Sequence, residues 1–505
     1  MVASCDGINV AEITVGTSLS SEYQRQRLAA GGLAAFAVLF TALHFYFAAN
    51  VGLSNDEAYY RLWSLHPALS YYDHPPMVAW VIAAGRSLVG DTPLGIRFGA
   101  VVLYLVAGLA FFRTAKLLYG TEVAVTSCWI ALAMPLLAVG GILASPDAPS
   151  VLFWVLTVWA VAEFSRSQNG AWWLAVGIFA GCGLLSKYTN IFLGGSIILW
   201  LIAVPSNVKW LRSPLPWIAG LIAISFSAPV VIWNFQHDWV SFAKQFGRVG
   251  QSSNGHFEIE LVLTSLGLAS PVIAVLASAG LYGVVRSAIA RRGSSDVLIG
   301  ALVLPMLVYF VVHALHDRVH FNWLAPIYPF LAICAARGLD LYVSELRRWP
   351  MYLSAIGTGF VFTAVIFALA LHPLSGSLTS DPLGETRGWK NFAGMVDELR
   401  QREGAAWVAT SYFATNAQLT YSLNERVPVA QLNDAIRYVD MPPLAAEIRK
   451  QPALYVELAG REDVNLLKKG FSRVTPLSPI WRADGSSAGR QYAVYLVSDP
   501  IEPSR

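Results

Sequence analysis

The stretch LAAGGLAAFAVLFTALHFYFAANVGLSNDEAYYRLW, Leu28 to Trp63, decides the fold class. From Leu28 to Ala49 it is apolar and uncharged, long enough as a helix to cross a hydrocarbon core of about 30 Å. It stops at Asn50, and Asp56, Glu57 and Arg61 follow among tyrosines and a tryptophan. An apolar span that opens into an aromatic, ionisable surface segment is a membrane-protein pattern.

The pattern recurs. The 505 residues are 55% hydrophobic and 13% charged, with a mean hydropathy of +0.51. Soluble globular chains are far more polar. The expectation is a mainly α, polytopic transmembrane helical bundle. About eleven spans fall near 28–49, 94–117, 122–144, 148–164, 171–186, 188–204, 215–234, 260–286, 297–315, 322–337 and 351–371. The first run is longer than the apolar core of a signal peptide, so it reads as an uncleaved span. A net charge of +3 suggests no nucleic-acid partner. Cys128, Cys182 and Cys334 sit in apolar runs and Cys5 lies near the N-terminus. No CxxC pair is present, so inert thiols are expected rather than a disulfide framework.

Basic residues set the orientation. With residues 1–27 as a cytoplasmic tail, the cytoplasmic loops hold Arg113, Lys116, Arg166, Lys209, Arg212, Arg291, Arg292, Arg347 and Arg348. Loops 50–93, 145–147, 235–259 and 316–321 then face outward. Residues 28–372 form the membrane domain. Residues 373–505 change character: AAWVATSYF, PVAQL, ALYVEL and RQYAVYLVS read as strands, and GWKNFAGMVDELRQREG and TNAQLTYSLNE as helices. A small α/β domain on the outer side is expected.

The outer loops carry the chemistry. Prolines 67, 75 and 76 and the charges at 56–74 exclude another span, so interfacial helices are expected within 50–93. Its aromatics, Tyr59, Tyr60, Trp63, Tyr71, Tyr72 and Trp80, suit the headgroup layer. Asp56 can cap the helix that begins EAYYRLW or act as a catalytic acid–base group. YYDHPP can be a rigid turn, or His74 can contact a phosphate or sugar with Asp73 orienting it. In ASPDAPS, Asp147 either caps the next helix or partners Asp56. Lys187 in GLLSKYTN either snorkels to the interface or contacts a phosphate. WNFQHDWVSFAKQFGRVG brings Lys244 and Arg248 outward, as an amphipathic surface helix or a grip on an anionic headgroup. His313, His316 and His320 precede WLAPIYPF. They lack the HExxH spacing of a zinc site; a divalent metal is compatible with the sequence but not required by it, and no metal ligand is assigned.

In order along the chain, NDEAYY, YYDHPP, SPDAP, GLLSK, the WNxxHDWVSFxxQxxR loop and WxxPxYP resemble the GT-C glycosyltransferases of the protein-mannosyltransferase-like group. That group includes the bacterial lipid A aminoarabinose transferases. DEAYY with YYDHPP is similar to rhizobial enzymes that add galacturonic acid to lipopolysaccharide, since His74 stands where aminoarabinose transferases carry lysine. The resemblance implies a GT-C bundle in a bacterial inner membrane, with the C-terminal domain in the periplasm. It implies transfer of a sugar from a polyprenyl-phosphate carrier to lipid A or lipopolysaccharide core. Asp56 is then the base, with Glu57 beside it and Asp147 as the second acid. His74, Lys187, Lys244, Arg248 and His320 are the phosphate or sugar contacts, and Tyr59 and Tyr72 line the substrate. The competing readings are a protein O-mannosyltransferase-like enzyme and a lipid or sugar transporter. Against the transporter, the acids lie in outer loops rather than at mid-bilayer, and no inverted repeat is visible.

Overall fold

A computed structural model describes residues 10–247, 257–290, 293–372, 381, 383–486 and 489–501. Helix α1 runs Val10–Asn50, so the segment expected as a tail continues the first span as helix from residue 10. Two short helices follow, α2 (Asn55–Leu65) and α3 (Met77–Val89), where interfacial helices are expected. Then come α4 (Pro93–Tyr119), α5 (Thr121–Ala133), α6 (Pro135–Gly140), α7 (Asp147–Ser167), α8 (Trp172–Ser186) and α9 (Ile191–Ala203). The membrane part continues through α10 (Pro214–Ser225), α11 (Ala228–Gln236), α12 (Val240–Gly247), α13 (Glu258–Ala269), α14 (Pro271–Ile289), α15 (Ser294–Ala314), α16 (Tyr328–Tyr342) and α17 (Glu345–Leu371).

Among the described residues, eight helical stretches are long and apolar enough to cross a membrane, which makes this a multi-pass membrane protein. Four shorter apolar helices accompany them, so the expected spans are not all single rods. Proline causes the breaks. The run expected at 122–144 divides at Met134–Pro135, and that at 260–286 divides at Ser270–Pro271, where Ser270 takes φ 72°. A proline lacks the N–H that would continue the preceding helix and is well suited to starting the next. The run at 215–234 likewise turns at Phe226–Ser227.

Leu109, Leu221, Ile224 and Val275 stay exposed on the spans, as side chains facing lipid would. Trp154, Phe164 and Trp200 are wholly buried inside the bundle. Where α14 crosses α16, a Cβ on Gly280 would fall 1.7 Å from the Cys334 carbonyl oxygen. Only glycine permits that approach, the small-residue contact by which membrane helices pack without a hydrophobic driving force.

The C-terminal region supplies α18 (Trp389–Arg402), β1 (Trp407–Thr410), α19 (Phe413–Ser422), β2 (Val429–Gln431), β3 (Ala453–Leu458), β4 (Phe471–Arg482) and β5 (Arg490–Pro500). The sheet order is β2-β1-β3-β5-β4. β1 pairs in parallel with β2 and β3, while β5 is antiparallel to β3 and β4. The four expected strands and two expected helices are present. β4 was not expected, because Pro476 and Pro479 interrupt it. It lies at the sheet edge, where proline is tolerated, and its register shifts between Leu477 and Ile480.

This domain rests on α2. Tyr59, Tyr60, Trp63 and Tyr71 are buried in a core that includes Ala417, with Phe413, Tyr421 and Tyr438 packed against it. The headgroup placement expected for these aromatics is therefore corrected: the C-terminal domain covers them. Trp63 and Tyr71 stack at 4.4 Å, and the Tyr71 hydroxyl donates toward the Trp63 and His66 carbonyls while accepting from the Ala68 amide. Gln418 donates to the Leu53 carbonyl and to Asn55, tying α19 to the start of α2. A Cβ on Gly52 would lie 1.9 Å from the Thr386 carbonyl oxygen, so the segment after α17 passes directly over the exit of α1.

Candidate active site

The loops at 50–93 and 141–147, the turn at 186–190, the start of α12 and the 320–327 turn all converge at one end of the bundle, beneath the C-terminal domain. Ser54 begins α2 with a capping box: its hydroxyl accepts from the Glu57 amide, and the Glu57 carboxylate accepts from the Ser54 amide. The helix cap considered for Asp56 thus belongs to Ser54 and Glu57.

Glu57 is fully engaged. Arg97 reaches both its oxygens at 2.7 Å, and the Ala144 amide donates at 3.0 Å. Arg97 also donates to the carbonyls of Ala48, Val51 and Gly52. Burial pushes the Glu57 carboxyl upward, but Arg97 and the two amides outweigh it and hold the group below the usual carboxylate range. Glu57 and Arg97 therefore fix the exit of α1, the start of α2, the start of α4 and the loop before α7. Sequence reasoning missed Arg97; its signal is a charge placed just inside an apolar run.

Asp56 differs. It is exposed, and among the described residues it accepts no hydrogen bond and forms no ion pair. Protein nevertheless surrounds it at longer range, as for a carboxylate lining a wet cleft. That crowding, together with the charges of Asp73, Glu57 and Asp147, pushes it up to about 6, with Arg437 opposing. Glu385, from the segment after α17, accepts from Asn55 at 3.0 Å and is also raised, by burial and by Asp56 and Glu57.

Asp147 begins α7 and meets Lys187 at 2.5 Å and Asn322 at 2.6 Å through separate oxygens. Lys187 is buried and also lies 3.5 Å from the Asn322 carbonyl. It neither snorkels nor stands unpaired. The three residues join the start of α7, the end of α8 and the turn before α16. His320 lies two residues before Asn322, exposed, with its ring 5.4 Å from Trp323.

Asp73 forms a second hub. It pairs with Lys244, accepts from the Tyr59 hydroxyl at 3.0 Å, and pairs with Arg437 at 2.6 Å. Burial alone would raise its carboxyl, but Lys244 and Arg437 hold it low. Tyr72 lies under both cations, with Lys244 at 4.3 Å and Arg437 at 5.4 Å from the ring centre. Asp73 does not orient His74: the His74 Nδ1 is buried and makes no hydrogen bond among the described residues. Burial lowers His74 to about 4, so the ring is neutral near pH 7. Arg248 lies outside the described residues. Among the described residues no group of three or more His, Cys, Asp or Glu side chains could hold a metal ion.

Sequence reasoning missed Arg437 as well. It sits in QLNDAIRYVD, a polar turn of a domain with nearly balanced charge, and only folding carries it to Asp73. Trp233 at the end of α11 donates to Asp440 in the same turn, at 3.1 Å.

Comparison with known proteins agrees with this architecture. Residues 73–233 match the family model for dolichyl-phosphate-mannose-protein mannosyltransferase. The chain is 27% identical over 321 residues to lipid A galacturonosyltransferase RgtD of Rhizobium johnstonii, covering 62% of this chain and 65% of that protein. The match therefore spans just under two thirds of that relative's length. It is 26% identical over 416 residues to the undecaprenyl phosphate-alpha-4-amino-4-deoxy-L-arabinose arabinosyl transferase of Edwardsiella ictaluri, covering 75% of this chain and 72% of that one. Crystal structures of ArnT from Cupriavidus metallidurans, apo and bound to undecaprenyl phosphate, superpose with a TM-score of 0.66 at 14% identity, covering 94% of this chain and 100% of theirs.

Proposed function

We propose that this protein, whose fold is the GT-C type and whose relatives are glycosyltransferases, is an inverting glycosyltransferase. It moves a sugar from a polyprenyl-phosphate carrier to an outer-face glycolipid, lipid A or lipopolysaccharide core. The single observation that carries this reading is Asp56: a carboxylate without a partner among the described residues, raised to about 6, at the end of the bundle where cations and acids converge.

Asp56 takes the proton of an acceptor hydroxyl as its oxygen attacks the anomeric carbon. The bond from that carbon to the carrier phosphate breaks, and the phosphate leaves with the electron pair. One base and one direct displacement give inversion. The departing charge needs cations already in place, because a preorganised field costs no reorganisation during reaction. Lys187 and Lys244 are the cations this reading assigns to that charge, with Arg248 four residues after Lys244 in the sequence. Asp147 pairs directly with Lys187 and is itself held by Asn322, and Glu57 with Arg97 fixes the backbone beside Asp56. Glu57 is therefore a positioning residue. Both substrates are amphiphiles, so a site where loops meet the bilayer suits them. The N-terminus is cytoplasmic and the C-terminal domain periplasmic in this reading, supported by the basic residues of the opposite loops.

The test is purified protein with a labelled polyprenyl-phosphate sugar and lipid A or core acceptor. A second reading, transfer to a protein hydroxyl, is favoured by the family model that matches residues 73–233. Label appearing in protein and absent from glycolipid would select it.

A further inference from the structure

Arg437 is held in an unusual way for a scaffold residue. Its guanidinium lies 5.1 Å from the ring centre of Phe413, 5.4 Å from Tyr72 and 5.9 Å from Tyr59. Aromatic faces on the flat sides of a guanidinium leave its in-plane N–H groups to make directional bonds. One edge reaches Asp73 at 2.6 Å. Its Nε is buried without a hydrogen bond, with Asp434 at 3.7 Å. Asp73 is already paired with Lys244. A structural clasp between the C-terminal domain and this loop needs one cation on Asp73. The second brings two cations against Asp73 and the more exposed Asp434. Two cations converging on one carboxylate of a loop beside Asp56 form an arrangement in which a further oxyanion can dock.

We propose that Arg437, delivered by the C-terminal domain, binds an oxyanion of the sugar donor together with Lys244, and that Asp73 holds both cations in position until that oxyanion arrives. The C-terminal domain is then part of the donor site rather than a cover over it. This inference rests on the transferase reading. A planar fork suits a phosphate or a carboxylate equally, so the oxyanion is either the carrier phosphate or a carboxylate on the sugar.

The experiment uses the full chain in detergent and two donors on one polyprenyl phosphate, a neutral hexose and a hexuronic acid. Binding of undecaprenyl phosphate alone is followed by tryptophan fluorescence. The variants are Arg437→Ala, Arg437→Lys, which keeps the charge without the fork, and Arg461→Ala. Arg461 stacks on Tyr412 of the same domain at 4.5 Å and serves as the control. Arg437→Ala is expected to raise KM by at least about tenfold, the loss of one hydrogen bond to a charged group, with kcat changed less. Arg437→Lys is expected to fall between it and wild type, and Arg461→Ala to match wild type. Loss on both donors with weaker binding of the bare carrier assigns the phosphate; loss on the uronic acid donor alone assigns the sugar carboxylate. Wild-type KM on both donors and wild-type carrier binding, in Arg437 variants that melt normally, overturns the proposal. Should Arg437→Ala fail to fold, Arg437→Lys decides by the same comparison. If wild-type protein transfers neither sugar, the transferase reading fails, while carrier binding still tests Arg437.

Discussion

Glu57 and Arg97 face each other as a two-point ion pair, 2.7 Å at each contact, with both side chains 1% exposed. The pair sits directly beside Asp56, which has no partner among the described residues. Adjacent acids thus have opposite fates, set by which way each points from the first turn of α2.

Removing one member of a buried pair leaves the other charge uncompensated, at a cost of about 3–5 kcal/mol. Glu57→Ala and Arg97→Ala are each expected to lower stability by that order in a detergent melting experiment. Asp56→Asn is expected to melt at or above the wild-type temperature, because an ionised carboxylate with a raised pKa opposes folding. A severe destabilisation in Asp56→Asn with none in Glu57→Ala would reverse these assignments.

Asp56 also sets a pH dependence. Its folded value of about 6 lies above its ordinary 3.8, so it gains its charge later than in an unfolded chain. A base works only when deprotonated. The ratio kcat/KM is therefore expected to fall by about tenfold per pH unit below a bend near 6. The same shift means that this group contributes a loss of stability as pH rises from about 4 to about 6, so acid inactivation of this origin occurs without unfolding. Activity that stays flat from pH 7 to pH 5 would exclude Asp56 as the base.

Asp147 and Lys187 form a third testable relationship, at 2.5 Å with Lys187 5% exposed. Asp147→Asn and Lys187→Met are each expected to destabilise the protein, and the double variant to recover part of the loss, with a coupling energy of about 1–3 kcal/mol. Strict additivity would mean that the two side chains act independently.

The fold was largely legible in the sequence because apolar length reports directly on lipid. Proline breaks were less so: hydropathy runs straight through Met134–Pro135 and Ser270–Pro271, and only backbone geometry divides the helices there. β4 was hidden because Pro476 and Pro479 read as turn residues when the strand's edge position is unknown. Within the site, Asp56, Asp147, Lys187 and Lys244 stood out as ionisable groups beside apolar runs. Arg437 and Glu385 did not, since nothing local to a polar turn tells which membrane loop it will touch. Asp73 was visible, yet its role was misassigned: sequence neighbours suggested His74 as its partner, whereas Tyr59, Lys244 and Arg437 reach it from three other elements.

The most direct measurement is sugar transfer by purified wild type and Asp56→Asn with a labelled polyprenyl-phosphate sugar and a lipid A or core acceptor. The account predicts label in the glycolipid with inverted anomeric configuration, and a loss in Asp56→Asn of at least about a hundredfold at unchanged carrier binding. Full transfer by a normally folded Asp56→Asn, or retention of configuration in the product, would contradict it.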